Sequence, residues 1–139
     1  MKHPILVLFF ISLALIACSQ ERHLKNEIYV YHWNDKDLIT NISLSEIKDG
    51  KTIKIYTRNV DVKKQYDNLN KTSYLLLSFK EAPGFYIDRN YELKINTSIY
   101  RINDFKVVSK NQGRNIMYMT NDEPQETGDD HIIKIQSGI

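Results

Sequence analysis

The residues of this chain that could carry out acid–base or nucleophilic chemistry are few and scattered. Its single cysteine is Cys18, and His23, His32 and His131 lie far apart with no Cys or carboxylate pattern joining them. The sequence contains no glycine-rich phosphate loop, no paired metal ligands at a fixed spacing and no Gly-x-Ser-x-Gly elbow. It therefore predicts a protein that is not an enzyme and that has no metal site.

Cys18 directly follows an apolar segment at the start of the chain. Met1 and Lys2 precede a run from Ile5 to Ala17, and polar residues begin immediately after the cysteine. A basic start, a short apolar run and a small residue at its end make up a secretory signal. A helix that spans a bilayer needs about 20 apolar residues, which is longer than this run. We therefore expect residues 1–17 to be a signal peptide that is removed.

The run from Leu15 to Cys18, Leu-Ile-Ala-Cys, resembles the lipobox of bacterial lipoproteins. The resemblance implies that Cys18 carries diacylglycerol, that cleavage occurs before it, and that its new amino group is acylated. These covalent lipids are then the only cofactors expected. Ser19, not Asp, follows the cysteine, which in this family resembles sorting to the outer membrane, facing the periplasm. Residues 18–26 would be the lipidated cysteine and a polar tether, held stably by two or three acyl chains.

Residues 27–139 have the composition of one domain that folds on a hydrophobic core. Hydrophobic residues make up 42% of the chain, and 19 basic residues nearly balance 17 acidic ones. That balance argues against nucleic acid as a partner. Because Cys18 is the single cysteine, no disulfide is available to stabilise the domain.

Short runs of alternating polarity, separated by turn residues, predict an all-β domain. The predicted strands are Glu27–Trp33, Leu38–Leu44, Thr52–Arg58, Ser73–Phe79, Tyr91–Ile95, Ser98–Ile102, Phe105–Val108, Asn115–Thr120 and His131–Gln136. Turns are predicted at Asp49–Gly50 and at Asn103–Asp104. In Asp61–Leu69 the apolar residues fall at helical spacing, so this segment is predicted as a helix, with a loop as a nearly equal alternative.

Eight or nine short strands in a chain of this length predict an antiparallel β-sandwich, immunoglobulin-like in broad shape. A small closed β-barrel is the alternative. In the strand Thr52–Arg58, Ile53 and Ile55 should occupy the face opposite Lys54 and Tyr56.

One candidate binding surface is an aromatic face in the first predicted strand. Alternation along Glu27–Trp33 puts Tyr29, Tyr31 and Trp33 on one face. Tyr and Trp are favoured at protein interfaces because they bury much area at low entropic cost. They are also favoured inside sheets, so packing within the core is an alternative interpretation of the same pattern.

A second candidate is the segment Asn121–Asp130, predicted as a polar loop. Its acidic residues are Asp122, Glu123, Glu126, Asp129 and Asp130, and it contains no basic residue. Clustered charge of one sign could steer and orient a basic partner, although such a loop is often simply solvated. The spacing lacks the ligand alternation of a calcium loop.

The chain also resembles, in format, the small immunity lipoproteins that protect bacteria from toxins delivered by secretion systems. The shared format is a lipobox and one disulfide-free β domain with strand pairs such as Tyr91–Ile95 and Ser98–Ile102. The resemblance implies a periplasmic immunity or inhibitor protein that neutralises a toxin or hydrolase by protein–protein binding. The alternatives are a structural accessory lipoprotein of a secretion or envelope assembly machine and, third, a cell-envelope hydrolase whose site is assembled by the fold.

Overall fold

The computed structural model describes residues 23–34, 36–110, 113–128 and 130–137. These residues form twelve strands and no helix, which confirms the all-β prediction. In chain order the strands are β1 (His23–Leu24), β2 (Glu27–Tyr31), β3 (Ile42–Lys48), β4 (Lys51–Tyr56), β5 (Val60–Asp67), β6 (Thr72–Phe79), β7 (Phe85–Tyr86), β8 (Asn90–Ile95), β9 (Ser98–Lys110), β10 (Gly113–Thr120), β11 (Glu123–Glu126) and β12 (Ile133–Gln136).

Six strands form one antiparallel sheet in the order β11-β10-β9-β8-β3-β4. A two-residue turn joins β3 to β4, and both of its residues have positive φ, 51° at Asp49 and 75° at Gly50. An Asp-Gly pair adopts this left-handed conformation at low cost and suits the twist of a hairpin. The turn predicted at these two residues is confirmed.

Four strands form the second sheet in the order β12-β2-β6-β5. β6 lies between two neighbours, β2 and β5. β12 runs parallel to β2, and Ile133 and Ile135 pair with Ile28 and Val30. The other pairs of this sheet are antiparallel.

The two sheets pack face to face around one hydrophobic core. Alternate side chains of both sheets enter it, including Ile28 and Leu75 from the four-stranded sheet and Leu44 and Leu93 from the six-stranded sheet, each 0% exposed. Among the described strands, neither sheet closes on itself. The antiparallel β-sandwich is therefore confirmed in preference to the small barrel.

β9 contains a bulge at the point where a turn was predicted. β9 runs without a break from Ser98 to Lys110, and Asp104 has a left-handed φ of 56°. Asp104 and Phe105 together lie opposite the single residue Tyr118 of β10. The prediction of a turn at Asn103–Asp104 is wrong, because the extra residue is accommodated within the strand.

The prediction of a helix or loop in Asp61–Leu69 is also wrong. β5 occupies Val60–Asp67 and pairs antiparallel with all eight residues of β6. The helical spacing of apolar residues here is accidental, since pairing with a strand that comes later in the chain decides the conformation. Leu69, which the helix would have placed on its apolar face, lies in the following turn and is 94% exposed.

β4 exposes both of its isoleucines. Tyr56 is buried, whereas Ile53 and Ile55 are 49% and 57% exposed. β4 is an edge strand, and Ile53 is an extra residue in its pairing with β3. The preceding predicted strand, Leu38–Leu44, begins only at Ile42.

The folded domain begins earlier than Glu27. Leu24 in β1 is 0% exposed, and it pairs with Phe85 of β7. The side-chain amide of Asn26 donates a hydrogen bond of 2.9 Å to the carbonyl oxygen of Phe79. Part of the stretch predicted as a tether, residues 18–26, therefore packs on the domain.

Candidate binding surface

Three tyrosines meet on the outer face of the four-stranded sheet, the face turned away from the core. Tyr29 and Tyr31 lie in β2, where Ile28 and Val30 point inward. The register between β2 and β6 sets Tyr74 directly across from Tyr31. Tyr29, Tyr31 and Tyr74, here called the tyrosine patch, are each half-buried.

Each ring of the tyrosine patch contacts the other two. The ring centroids of Tyr29 and Tyr31 are 6.1 Å apart, and each lies 5.5 Å from the centroid of Tyr74. The hydroxyl of Tyr74 donates a hydrogen bond of 2.5 Å to the side-chain oxygen of Gln65. Mutual contact restricts the rotamers of these rings, so they lose little entropy when a partner covers them.

The hydroxyls of Tyr29 and Tyr31 have no hydrogen-bond partner among the residues that the structure describes. Partial burial is the main cause that raises the pKa of both phenols, and neighbouring tyrosines and the Asp130 carboxylate raise it further. Both phenols therefore stay protonated at neutral pH. Each can donate a hydrogen bond to an acceptor on a partner.

A depression of about 430 Å³ lies beside Tyr31. Its wall includes His32 and Thr72, whose side chains are linked by a hydrogen bond of 2.9 Å, as well as Lys134 and Gln136. A hydrogen-bonded wall holds its shape, and a space of this size accepts one large side chain of a partner. The depression and the tyrosine patch form one continuous surface through Tyr31.

Trp33 does not belong to this surface, contrary to the prediction. β2 ends at Tyr31, and His32 adopts a left-handed φ of 59° that breaks the alternation of the strand. Trp33 is consequently turned inward and is 7% exposed. Its backbone N–H donates a hydrogen bond of 3.3 Å to the carbonyl oxygen of Ser73.

The acidic segment Asn121–Asp130 is not a loop throughout, as was predicted. Its middle, β11, pairs with β10 in a hairpin whose turn residues Asn121 and Asp122 both have positive φ. The acidic residues Asp122, Glu123 and Glu126 therefore lie at one edge of the six-stranded sheet. Asp129 lies outside the described residues.

Asp130 lies near the tyrosine patch, apart from the acidic residues of β11 and its turn. Its carboxylate is 3.7 Å from the Nζ of Lys134, which pairs with Tyr29 across the sheet. The structure thus brings one member of the predicted acidic set to the predicted aromatic face. The acidic residues of β11 and its turn are on the other sheet.

A buried carboxylate is the polar feature that sequence reasoning missed. Glu46 in β3 is 2% exposed, and its carboxylate forms an ion pair with the guanidinium of Arg89. It also accepts a hydrogen bond of 3.0 Å from the hydroxyl of Tyr56. The alternation of β3 gives a signal for this position, because Glu46 falls in phase with the buried Leu44. Nothing in the sequence marks Arg89 as its partner.

Glu46 in β3, Tyr56 in β4 and Arg89 in the turn before β8 are here called the Glu46 cluster. The Glu46 carboxylate raises the pKa of the Arg89 guanidinium, whose central carbon lies 4.2 Å from the ring centroid of Tyr86. Burial, followed by the hydrogen bond to Glu46, raises the pKa of Tyr56 to about 12. The cluster is an internal polar network that fixes β3, β4 and the turn before β8 against one another, although the buried Nε of Arg89 has no hydrogen-bond partner among the described residues.

Cys18 lies outside the described residues. Within the described part of the chain, no three His, Cys, Asp or Glu side chains come together in a way that could hold a metal ion. The same part contains no helix long and apolar enough to cross a membrane. Comparison of the chain with protein-family models, with curated proteins and with solved structures finds no match.

Proposed function

We propose that this protein is a lipid-anchored binding protein of the cell envelope, facing the periplasm from the outer membrane, and that it neutralises a toxin or hydrolase by binding it. The Leu15–Cys18 sequence supports the anchor, and the tyrosine patch supports the binding role. The observation that carries the proposal is that three tyrosine rings in mutual contact lie on a solvent-facing sheet surface.

Such a surface suits protein recognition for a physical reason. Tyrosine is enriched among the residues that dominate binding energy, because one ring buries a large area and one hydroxyl donates a hydrogen bond. The patch rests on paired strands, so it needs little rearrangement on binding. The depression beside Tyr31 offers a hole for a projecting side chain, and Lys134 and Gln136 supply a polar rim.

An affinity purification from envelope extract tests the proposal. The mature chain, with Cys18→Ser to keep it out of the membrane, serves as bait, and the activity of the captured protein is assayed with and without the bait. Recovery of a toxin or hydrolase whose activity falls on binding is the expected result. Recovery of an apparatus component with unchanged activity would instead support the structural accessory role.

Two variants connect the capture to the tyrosine patch. Tyr31→Ala should lower partner affinity about 30-fold, the effect of losing an interface residue worth about 2 kcal/mol. Tyr66→Ala is the control, because Tyr66 is also a strand tyrosine with a solvent-accessible ring, 56% exposed, but lies in β5 outside the patch. Equal affinity of the two variants would remove the tyrosine patch from the proposal.

A further inference from the structure

β4 is an exposed edge strand with a strongly basic and partly apolar surface. Its side chains Lys51, Ile53, Lys54 and Ile55 are exposed, and Arg58 follows two residues after it. These five residues are called the basic edge. Residues 51–60 contain no acidic residue. In the described part of the chain, no carboxylate lies within the 4.0 Å ion-pair distance of its three cations.

The basic edge combines two properties that a partner has to match. Ile53 and Ile55 expose about half of their surface to water, which is unfavourable unless something apolar covers them. The neighbouring cations attract negative charge. An anionic lipid surface offers both, because lysine and arginine bind its headgroups while aliphatic side chains enter the interface between headgroups and acyl chains.

Contacts within the domain connect the basic edge to His23, the first residue that the structure describes. His23 in β1 pairs with Tyr86, and the Arg89 guanidinium stacks on the Tyr86 ring at 4.2 Å. Arg89 is ion-paired with Glu46 of β3, the strand that pairs with β4. A short series of contacts, through two side chains of the Glu46 cluster, therefore connects the start of the folded domain to β4.

The chain between Cys18 and His23 is short. Five residues reach at most about 17 Å when fully extended, at about 3.4 Å each. Electrostatic attraction to a charged surface acts over about 8 to 10 Å at physiological salt. The tether therefore holds the start of the described domain within about two screening lengths of the membrane, so a modest approach brings its charges into the membrane field.

The opposite edge of the same sheet carries the opposite charge. β11 and its turn contribute Asp122, Glu123 and Glu126 with no basic residue between Asn121 and Gly128. Five strand spacings separate β11 from β4, about 24 Å at about 4.8 Å each. An anionic surface attracts the basic edge and repels the acidic β11 edge. Both effects favour an orientation in which β4 faces that surface.

We infer that the basic edge lies against the anionic bilayer surface that holds the lipid anchor, with the acidic β11 edge pointing away from it. This inference rests on the lipid anchor of the proposed function and adds an orientation to it. The tyrosine patch is on the other sheet, so membrane contact through β4 leaves it uncovered. The domain is then held with its binding surface accessible from the periplasm.

Fluorescence quenching on vesicles tests this orientation. The purified lipidated protein is reconstituted into vesicles of phosphatidylcholine alone, or of phosphatidylcholine and phosphatidylglycerol in equal amounts. A fluorophore is attached to a cysteine introduced by Ile55→Cys or, as the matched control, by Glu123→Cys. Because the thiol of Cys18 is taken by lipid, the introduced thiol is the one that reacts. Quenching by a nitroxide placed in the lipid interface is then measured.

The expected result is strong quenching at position 55 on the anionic vesicles, weak quenching there on neutral vesicles, and weak quenching at position 123 on both. Lys51→Glu in the Ile55→Cys protein should lower the docked population by fivefold or more, since each cation near an anionic surface contributes about that factor. Added salt should also lower the docked population on the anionic vesicles, because it screens the attraction.

Two contrary results overturn the inference in distinguishable ways. Protein that floats with the vesicles but shows equal quenching at positions 55 and 123 overturns the orientation and leaves the anchor intact. Protein that fails to float, and carries no acyl group by mass spectrometry, overturns the orientation together with the proposed anchor.

Discussion

Two groups of tyrosines in this molecule differ in where their hydroxyl groups are directed. Tyr56, Tyr91 and Tyr118 are buried, and each hydroxyl has a hydrogen-bond partner inside the protein. Tyr29 and Tyr31 are half-buried on an outer sheet face, with no such partner in the described part of the chain. The difference indicates that the first group supports the fold and that the second is available to a partner.

The largest effect on stability is expected from removing Arg89, the cation of the cluster that contains the buried Tyr56. Arg89→Ala leaves the carboxylate of Glu46, 2% exposed, without its ion-pair partner. A buried carboxylate in that condition costs about 3 to 5 kcal/mol, so the free energy of unfolding should fall by about that amount in urea denaturation. Lys48→Ala, which removes an exposed ion pair of 4.0 Å with Asp88, is the control and should change it by less than about 1 kcal/mol. Equal effects would show that the Glu46 cluster is not structural.

Alkaline pH sharpens the comparison through the buried phenols. The pKa is raised to about 12 in Tyr56 and in Tyr118, chiefly by burial, against about 10 in the unfolded chain. The stabilisation from keeping each phenol neutral is complete below about pH 10 and is lost as the pH rises toward 12, at up to about 1.4 kcal/mol per pH unit for each. Denaturation midpoints measured across this range should fall steeply. Tyr56→Phe should make the fall shallower, and an unchanged slope would contradict the assignment.

Removing a single buried hydroxyl has a smaller expected effect. The hydroxyl of Tyr118 in the six-stranded sheet accepts a 2.7 Å hydrogen bond from the Lys134 backbone N–H and donates a 3.0 Å bond to its carbonyl oxygen. Tyr118→Phe leaves both backbone groups of Lys134 without this partner and should cost about 1 to 3 kcal/mol in thermal or urea unfolding. A loss below about 0.5 kcal/mol would mean that this link between the sheets contributes little.

The smallest effect on stability is expected in the tyrosine patch. Tyr31→Phe removes a hydroxyl that has no internal partner, so the free energy of unfolding should change by no more than about 0.5 kcal/mol. The same variant should weaken binding of a captured partner by up to about tenfold, the value of one hydrogen bond across an interface. A variant that loses stability but not affinity would reverse the roles given to the two groups.

The sequence predicted those parts of the fold that depend on local pattern. Alternation identified β8, and the Asp49–Gly50 dipeptide identified a turn that proves to be that of a hairpin. The shared face of Tyr29 and Tyr31 also follows from alternation alone, since both lie inside one strand.

The remaining features depend on contacts between distant residues or on single backbone angles. Tyr74 joins the tyrosine patch through the register of β6 with β2, and Arg89 meets Glu46 across 43 positions of sequence. Trp33 left the predicted face because one residue, His32, took a left-handed conformation. No local pattern in the sequence encodes strand register or a single backbone angle. The helical spacing in β5 was misleading because pairing with β6, a later segment of the chain, decides its conformation.

The parallel pairing of β12 with β2 has a kinetic consequence. Ile28 and its partner Ile133 are roughly a hundred residues apart in sequence, and such non-local contacts slow folding because a long loop must close first. The four-stranded sheet lacks one of its strands until β12 has been synthesised. The domain should therefore complete its fold late, on the millisecond-to-second scale of sandwiches with high contact order.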